Sequence, residues 1–515
     1  MNNVISRPKI RLKGMHYRIV SLLAGFLLLA SFSFAQPKAE FRGVWVATVD
    51  NIDWPLRGDY NSNNQKAAFI NLLDMHQRNG MNAIIMQIRP AADAFYPSPY
   101  EPWSEWLTGK QGRPPVPYYD PLQFMIEETH KRGMEFHAWC NPYRAEFSIG
   151  KSSIAPTHIT RIHPEWFLPY GTVRLFDPGN KEAQQYVVQV IRDIVRRYPI
   201  DAIHFDDYFY PYRIAGKEFP DTASFRKYGN GMNKDDWRRS NTDSIILALS
   251  KAIKEENQYC RFGISPFGVW RNADKDSMGS NTKAGQTNYD DLYADILLWL
   301  REGWIDYVAP QLYWEFEHAH APYGPLLDWW NKHTYGKHCY IGLGIFRAGS
   351  NANWRQKDEL TRMIREMRNM PNIQGAIYFS SKSFDRNPNG WNDSLRNNYY
   401  RYPAIVPPMP WIDSSIIEKP VLSISSTGPG AYGTTLHLQA KESTKEIKSF
   451  IVYNFEMGDA ILNKNDPKNI VKVIPALRDT MDYVIPQAAD KMKRFAVSCI
   501  DFENNESELS IWPPL

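Results

Sequence analysis

The run Asp201-Ala-Ile-His-Phe-Asp206-Asp207-Tyr-Phe-Tyr-Pro211 sets two carboxylates side by side at the end of an apolar stretch. Adjacent carboxylates repel, and one of them tends to keep its proton near neutrality. A protonated carboxyl beside an ionised one is the pair that hydrolysis of a glycosidic bond needs, an acid for the leaving oxygen and a charge for the developing cation. An Asp pair in a turn or a helix cap is the plain alternative. Asp206, however, shares a strand face with His204, which a solvated turn does not predict. A third carboxylate stands in Tyr313-Trp314-Glu315-Phe316-Glu317. Bracketing rings would desolvate Glu315 and raise its pKa towards acid duty, unless it pairs with an arginine as an ordinary loop carboxylate.

These residues need a scaffold that brings distant strand ends together. From Glu40 to about Pro403, short apolar runs alternate with amphipathic ones. The strand pattern covers Phe41–Val49, Asn82–Arg89, Glu135–Cys140, Ala202–Asp206, Arg261–Pro266, Tyr307–Tyr313, Tyr340–Leu343 and Gly375–Phe379, and a helical pattern follows each. Eight β–α units in series predict an α/β fold, a (β/α)8 barrel. A doubly wound open sheet is the rival, but Gly342-Leu-Gly344-Ile-Phe-Arg347 lacks the third glycine of a dinucleotide turn.

Side chains alternate along a strand, so polar residues on the inward parity near strand ends mark the barrel mouth. On this reading, strand one directs Arg42, Thr48 and Asp50 inward, strand two Gln87 and Arg89, and strand three Glu135, His137, Trp139 and Asn141. Strand four directs His204 and Asp206, and strand six Gln311, Tyr313 and Glu315. So many polar groups at one mouth cost free energy unless something uses them. The expected catalytic set is Asp206, Asp207 and Glu315. The expected substrate-binding set is Arg42, Asp50, Arg89, His137, Trp139, Asn141, His204, Tyr208, Gln311, Tyr313 and Trp314. Long aromatic loops (Phe95 to Trp106, Tyr208 to Tyr212) would cover the mouth with rings that stack on sugar faces or pack as a lid.

Composition narrows the class further. Hydrophobic residues are 43% and charged residues 23% of the 515, a globular balance. Five of the basic residues (Arg7, Lys9, Arg11, Lys13, Arg18) precede the apolar run Ile19–Ala30 and the small residues Ser33 and Ala35. That reads as a secretory signal peptide over residues 1–35, hence an exported protein of the periplasm, envelope or medium with no integral membrane segment once processed. Without those five the chain is nearly neutral, which argues against nucleic acid as a partner. Four dispersed cysteines form no CxxC, and buried free thiols are expected. Pro403, Pro407, Pro408 and Pro410 mark a linker after the barrel (36–403). Residues 404–515 then read as a small all-β sandwich of immunoglobulin or fibronectin III type, with its own core.

The opening Phe41-Arg-Gly-Val-Trp-Val-Ala-Thr-Val-Asp50-Asn-Ile-Asp-Trp-Pro55 resembles that of the glycosyl hydrolase-like 10 family. His137-Ala-Trp-Cys-Asn-Pro-Tyr-Arg144, Ile203-His-Phe-Asp-Asp-Tyr-Phe-Tyr-Pro211 and Pro310-Gln-Leu-Tyr-Trp314 are similar to its other signatures, and the likeness spans about residues 38 to 400. The resemblance implies a bacterial envelope barrel hydrolase; a related enterobacterial member acts on peptidoglycan strands stripped of peptides. A more distant likeness to substrate-assisted hexosaminidases implies that Asp206 orients a 2-acetamido group and Asp207 is the acid/base. In the rival scheme Asp206 is a nucleophile and Glu315 the acid.

The expected function is hydrolysis of an N-acetylated glycan, peptidoglycan foremost, with no cofactor and no metal. A metal-dependent hydrolase or deacetylase using His137, His204 and Asp206 is one alternative, although strand one lacks the His-x-His of barrel amidohydrolases. A catalytically inactive glycan-binding protein is the other. No G-x-S-x-G elbow or Walker loop is present.

Overall fold

A computed structural model of the chain describes residues 36–426, 434–441, 445–478, 480–485 and 493–512. The leader expected over residues 1–35 lies outside them. Eight parallel strands close into a barrel: β1 (Phe41–Val46), β2 (Ala83–Arg89), β3 (Glu135–Cys140), β4 (Ala202–Phe205), β5 (Arg261–Ile264), β6 (Tyr307–Val308), β7 (His338–Leu343) and β8 (Gly375–Tyr378). Each pairs with its neighbours in chain order, and β8 returns to β1 through Phe41 opposite Gly375. Helices follow the strands; Lys181–Arg197 begins at Asn180, whose side chain caps the backbone N–H groups of Glu182 and Ala183. The helical run expected over Tyr289–Glu302 is instead two short helices, Asn288–Asp291 and Ile296–Arg301. Among the described residues, no helix is long and apolar enough to cross a membrane. All four cysteines are buried and unpaired.

The barrel interior is polar along its axis. Gly263 on β5 makes room for Tyr307, since a Cβ there would sit 1.9 Å from the ring. The Tyr307 hydroxyl reaches Nδ1 of both His137 and His204, each at 2.9 Å. Bond directions follow from Trp45, whose indole can only donate; it donates to His204 Nε2 at 3.1 Å. His204 therefore carries its proton on Nδ1 and donates to Tyr307, which donates to His137, which donates from Nε2 to Glu135 at 3.2 Å. Burial lowers both histidine pKa values, so both rings are neutral links in this chain. Tyr307→Phe strands two buried ring nitrogens and should lower stability by about 1–3 kcal/mol. Thermal and urea unfolding read the effect, and an unchanged midpoint would show that the chain carries no stability.

Parity on β1 is opposite to that expected. Phe41, Trp45 and Ala47 form the inner cluster with Ile85, Trp139, Tyr307 and Tyr340. Val44 and Val46 belong instead to the cluster between strands and helices. Arg42 accordingly faces outward at the floor, bonded to Glu40 at 2.9 Å and to the Tyr402 carbonyl at 2.9 Å, with Tyr400 stacked on it.

Beyond the barrel, antiparallel strands form two sheets. β9 (Val421–Ser426), β10 (Thr434–Gln439) and β13 (Thr480–Val484) make one; β11 (Ile447–Glu456), β12 (Ile470–Pro475), β14 (Lys493–Asp501) and β15 (Ser510–Trp512) make the other. Leu436 and Leu438 of the first sheet share a core with Phe450, Val452 and Val497 of the second. A bulge on β11 at Lys448 aims that side chain into the barrel floor. There Lys448 Nζ lies 2.5 Å from Glu135 and 3.1 Å from Asp201. A cavity of about 260 Å³ between barrel and sandwich is lined by these residues together with Arg261 and Phe502. The carboxylate pair lies at the opposite end of the barrel.

Candidate active site

Asp206 and Asp207 are the first residues past β4, and both are buried. Asp206 continues the inward parity of Ala202 and His204. Its surroundings are set by a relay that starts on the backbone. The N–H groups of Thr48 and Val49 both donate to Gln87 Oε1, each at 2.9 Å. Gln87 must then present its Nε2 to Asn141 Oδ1, at 2.6 Å. Asn141 in turn can only donate its Nδ2 to Asp206 Oδ2. The Tyr208 N–H donates to the other oxygen, Oδ1, at 3.3 Å. The Trp139 indole N–H is buried without a full hydrogen bond and lies close enough to Asp206 to lower its pKa. Burial raises the Asp206 pKa, but Arg144 and these fixed donors oppose the rise. Asp206 is thus an acceptor at both oxygens.

Asp207 has a different environment. Tyr212 donates to its Oδ2, and the Gln311 amide lies beside it. Burial first, and the neighbouring Asp206 charge second, push its pKa up to about 7. The pair therefore shares one proton near neutrality, and Asp207 holds it. Gln311 is anchored through Nε2 to the Ser265 carbonyl at 2.9 Å.

Rings line the mouth on both sides. On one, Tyr208 lies tilted against Tyr212 with centroids 5.4 Å apart, and Arg144 lies over Tyr208. Trp314 meets Phe267 edge-on at 5.4 Å. On the other side Tyr313 packs against Phe346 and Phe379. This is a cleft with a fixed carboxylate, a protonated one and aromatic walls, the equipment of acid-assisted sugar transfer to water.

The sequence profile of the glycosyl hydrolase-like 10 family matches residues 40–359. The chain is 45% identical to glycosyl hydrolase YngK of Bacillus subtilis over 450 residues, covering 85% of this chain and 88% of that one. The chain belongs to the glycosyl hydrolase-like 10 family. It is also 38% identical to glycosyl hydrolase DigH of Escherichia coli K12 over 371 residues, 67% of this chain and 83% of that one. Among solved structures, α-L-fucosidase isoenzyme 2 of Paenibacillus thiaminolyticus aligns with 70% of this chain and 49% of its own. Its TM-score is 0.44 at 12% identity. Glycosyl hydrolase-like activity comes with the family.

In this glycosyl hydrolase-like 10 chain the mouth gathers Trp139, Asn141, Asp206, Asp207, Tyr208, Gln311, Tyr313 and Trp314. His204 lies one layer below, spent on Trp45 and Tyr307. Other expected site residues are elsewhere. Arg42 is on the floor, and His137 is sealed in the axial chain beside Glu135. Arg89 is buried and consumed by Glu101 at 2.8 and 3.1 Å and by the Pro142 carbonyl at 3.2 Å, so it braces the loop that carries Asn141. Asp50 is exposed and paired with Arg57. Glu315 accepts from Asn351 at 3.0 Å on one oxygen and from Trp354 at 2.9 Å on the other, which makes it a brace for that loop rather than part of the pair. Among the described residues, no three His, Cys, Asp or Glu side chains converge as metal ligands. Two residues of the cleft were absent from the expected set, Arg144 and Tyr212. Arg144 closes one of the motifs that carry the family likeness, and Tyr212 directly follows another, so the motif ends were the available signal.

Proposed function

We propose that this enzyme hydrolyses glycosidic bonds of an N-acetylated bacterial glycan, peptidoglycan strands foremost, with the substrate's own acetamido group as nucleophile. The observation that carries this reading is the donor relay from Thr48 and Val49 through Gln87 and Asn141. It leaves Asp206 an ionised acceptor beside an Asp207 that keeps its proton. An ionised Asp206 accepts the acetamido N–H and raises the nucleophilicity of the carbonyl oxygen, which attacks the anomeric carbon. Asp207 gives its proton to the departing glycosidic oxygen and then takes one from the water that opens the oxazoline. The alternative, with Asp206 as nucleophile and Glu315 as acid, is less well supported, because Glu315 is committed to Asn351 and Trp354 as a brace for their loop.

The glycan is decided by digestion. Purified peptidoglycan, native and peptide-stripped, is incubated with the enzyme and the released sugars are read by mass spectrometry. Reducing-end products with an intact acetamido group support the proposal, and a thiazoline mimic should inhibit. Anhydro ends, or a covalent sugar adduct on Asp206, would overturn it. Export completes the proposal: protein from the native envelope should begin at Gln36 on N-terminal sequencing, and an intact Met1 in the membrane pellet would refute it.

A further inference from the structure

The outer face of the smaller sandwich sheet carries a row of side chains that the glycan cleft does not use. His437 on β10 lies directly opposite Asp482 on β13. Ser425 on β9 sits one pair further along, opposite Thr435. These three side chains alternate with the residues that fill the sandwich core, such as Leu436 and Leu438 beside His437. His437 Nδ1 is 2.6 Å from Asp482 Oδ1, and His437 Nε2 is 2.6 Å from Ser425 Oγ. An ionised Asp482 can only accept, so in the neutral ring the proton sits on Nδ1 and Nε2 accepts from the Ser425 hydroxyl. Two other serines touch an imidazole. Ser381 lies 2.8 Å from His76 Nε2, but His76 Nδ1 has no partner. Ser265 lies 3.1 Å from His204 Nε2, but His204 Nδ1 faces Tyr307. Among the described residues, only His437 joins a serine hydroxyl on one ring nitrogen to a carboxylate on the other.

We propose that Ser425, His437 and Asp482 form a second hydrolytic site, one that cleaves short O-acyl esters standing out from their carrier. The arrangement has the atom order of a nucleophile, a general base and the group that orients the base. Ser425 Oγ bonds to the ester carbonyl carbon while its proton passes to His437 Nε2. The C–O bond to the alcohol then breaks, and the alcohol leaves with that proton. Water gives a proton to the same Nε2 and attacks the acyl-serine. The carboxylic acid departs, and the proton returns to Ser425 Oγ. Asp482 keeps its charge throughout and stabilises the imidazolium. The face is open, with His437 41% and Asp482 67% exposed. An open face admits an ester that projects from a sugar or a polymer, and gives a long acyl chain nowhere to bury. Val484, on the same face opposite Thr435 and exposed, offers an apolar contact for a methyl group. Solvent screens the charges here, so turnover is slow beside that of an enclosed triad. The proposal is independent of the chemistry at the barrel mouth.

The test uses the full-length protein in an Asp207→Asn background, which takes the barrel's acid out of the assay. Two esters are supplied, p-nitrophenyl acetate and N-acetylglucosamine bearing an O-acetyl group, and release of nitrophenol or acetate is followed. A fluorophosphonate probe is mapped in parallel by peptide mass spectrometry. Both esters should be hydrolysed faster than in buffer alone, and the probe should be found on Ser425. Ser425→Ala should abolish the labelling and lower ester turnover by about 10-fold or more, and Asp482→Asn should lower turnover by a similar factor. Ser425 and Asp482 are exposed, so both variants should keep the parent's melting midpoint. With Asp207 intact, Ser425→Ala should leave glycosidic cleavage unchanged. Ester turnover that survives Ser425→Ala but falls in His437→Gln would reveal a lone imidazole attacking the ester and would overturn the triad. Turnover at the buffer rate, or a probe found only on another residue, would overturn it as well.

Discussion

Asp207→Asn is expected to lower turnover on natural glycans by about 10²–10⁴-fold, the usual worth of a general acid, and to retain most of its activity on a substrate whose leaving group needs no proton. Asp206→Asn should lose activity on both kinds of substrate, because an amide cannot polarise an acetamido group as a carboxylate does. The two variants also part company in stability. Both Asp206 oxygens accept from donors whose direction is fixed, so an amide there must set N–H against N–H, at about 1–3 kcal/mol. Asp207 is a destabilising charge. Its folded pKa of about 7 lies above the unfolded carboxylate value, so the favourable contribution is complete below about pH 4 and is lost as pH rises towards 7. Asp207→Asn should therefore be more stable than the wild type above pH 7, by on the order of 2–4 kcal/mol. Activity should fall on the alkaline side as Asp207 loses its proton near pH 7, and on the acid side as Asp206 gains one. Retention of full activity by the double Asn variant would refute the site.

Removing Lys448 is expected to unsettle the barrel from the far end. This sandwich residue pairs with both Glu135 and Asp201. Glu135 is held well below the ordinary carboxylate range by Arg261 and Lys448, against the cost of burial, and Asp201 is held down chiefly by Lys448 and His130. Lys448→Met leaves two buried carboxylates short of positive charge and should cost about 3–5 kcal/mol, read by denaturant unfolding. Deletion of residues 404–515 removes the same cation and uncovers the floor, so the isolated barrel should melt earlier and less cooperatively. Depressed carboxylate values place this contribution above about pH 4, with loss as the pH falls further. A Lys448→Met protein whose acid unfolding and midpoint match those of the wild type would show that the modules are joined only by their linker.

The barrel was legible because its signal is local. Apolar runs alternate with helical periodicity, and seven of the eight strands begin within one residue of the expected position, while β7 begins at His338, two before Tyr340. The carboxylate pair was legible too, since adjacency in sequence at a strand end is adjacency in space. Parity on β1 was not. Arg42 and Thr48 alternate with Phe41, Trp45 and Ala47, so either set could face the axis from sequence alone. The choice was made by neighbours: a barrel this narrow takes Trp45 because His204 stands opposite to accept its N–H.

Residue type and spacing in the chain determined that a (β/α)8 barrel would present Asp206 and Asp207 at its mouth, with rings around them. Which Asp keeps the proton was decided by tertiary structure, because it depends on donors from β1, β2 and β3 converging on one carboxylate of β4. The same holds for Glu315 and Arg89. Each has the chemistry of a site residue, and each is spent on a partner 10 or more positions away, Trp354 and Glu101. A hydrogen bond or an ion pair uses up a group wherever its partner lies in the chain, and one-dimensional order does not record that distance.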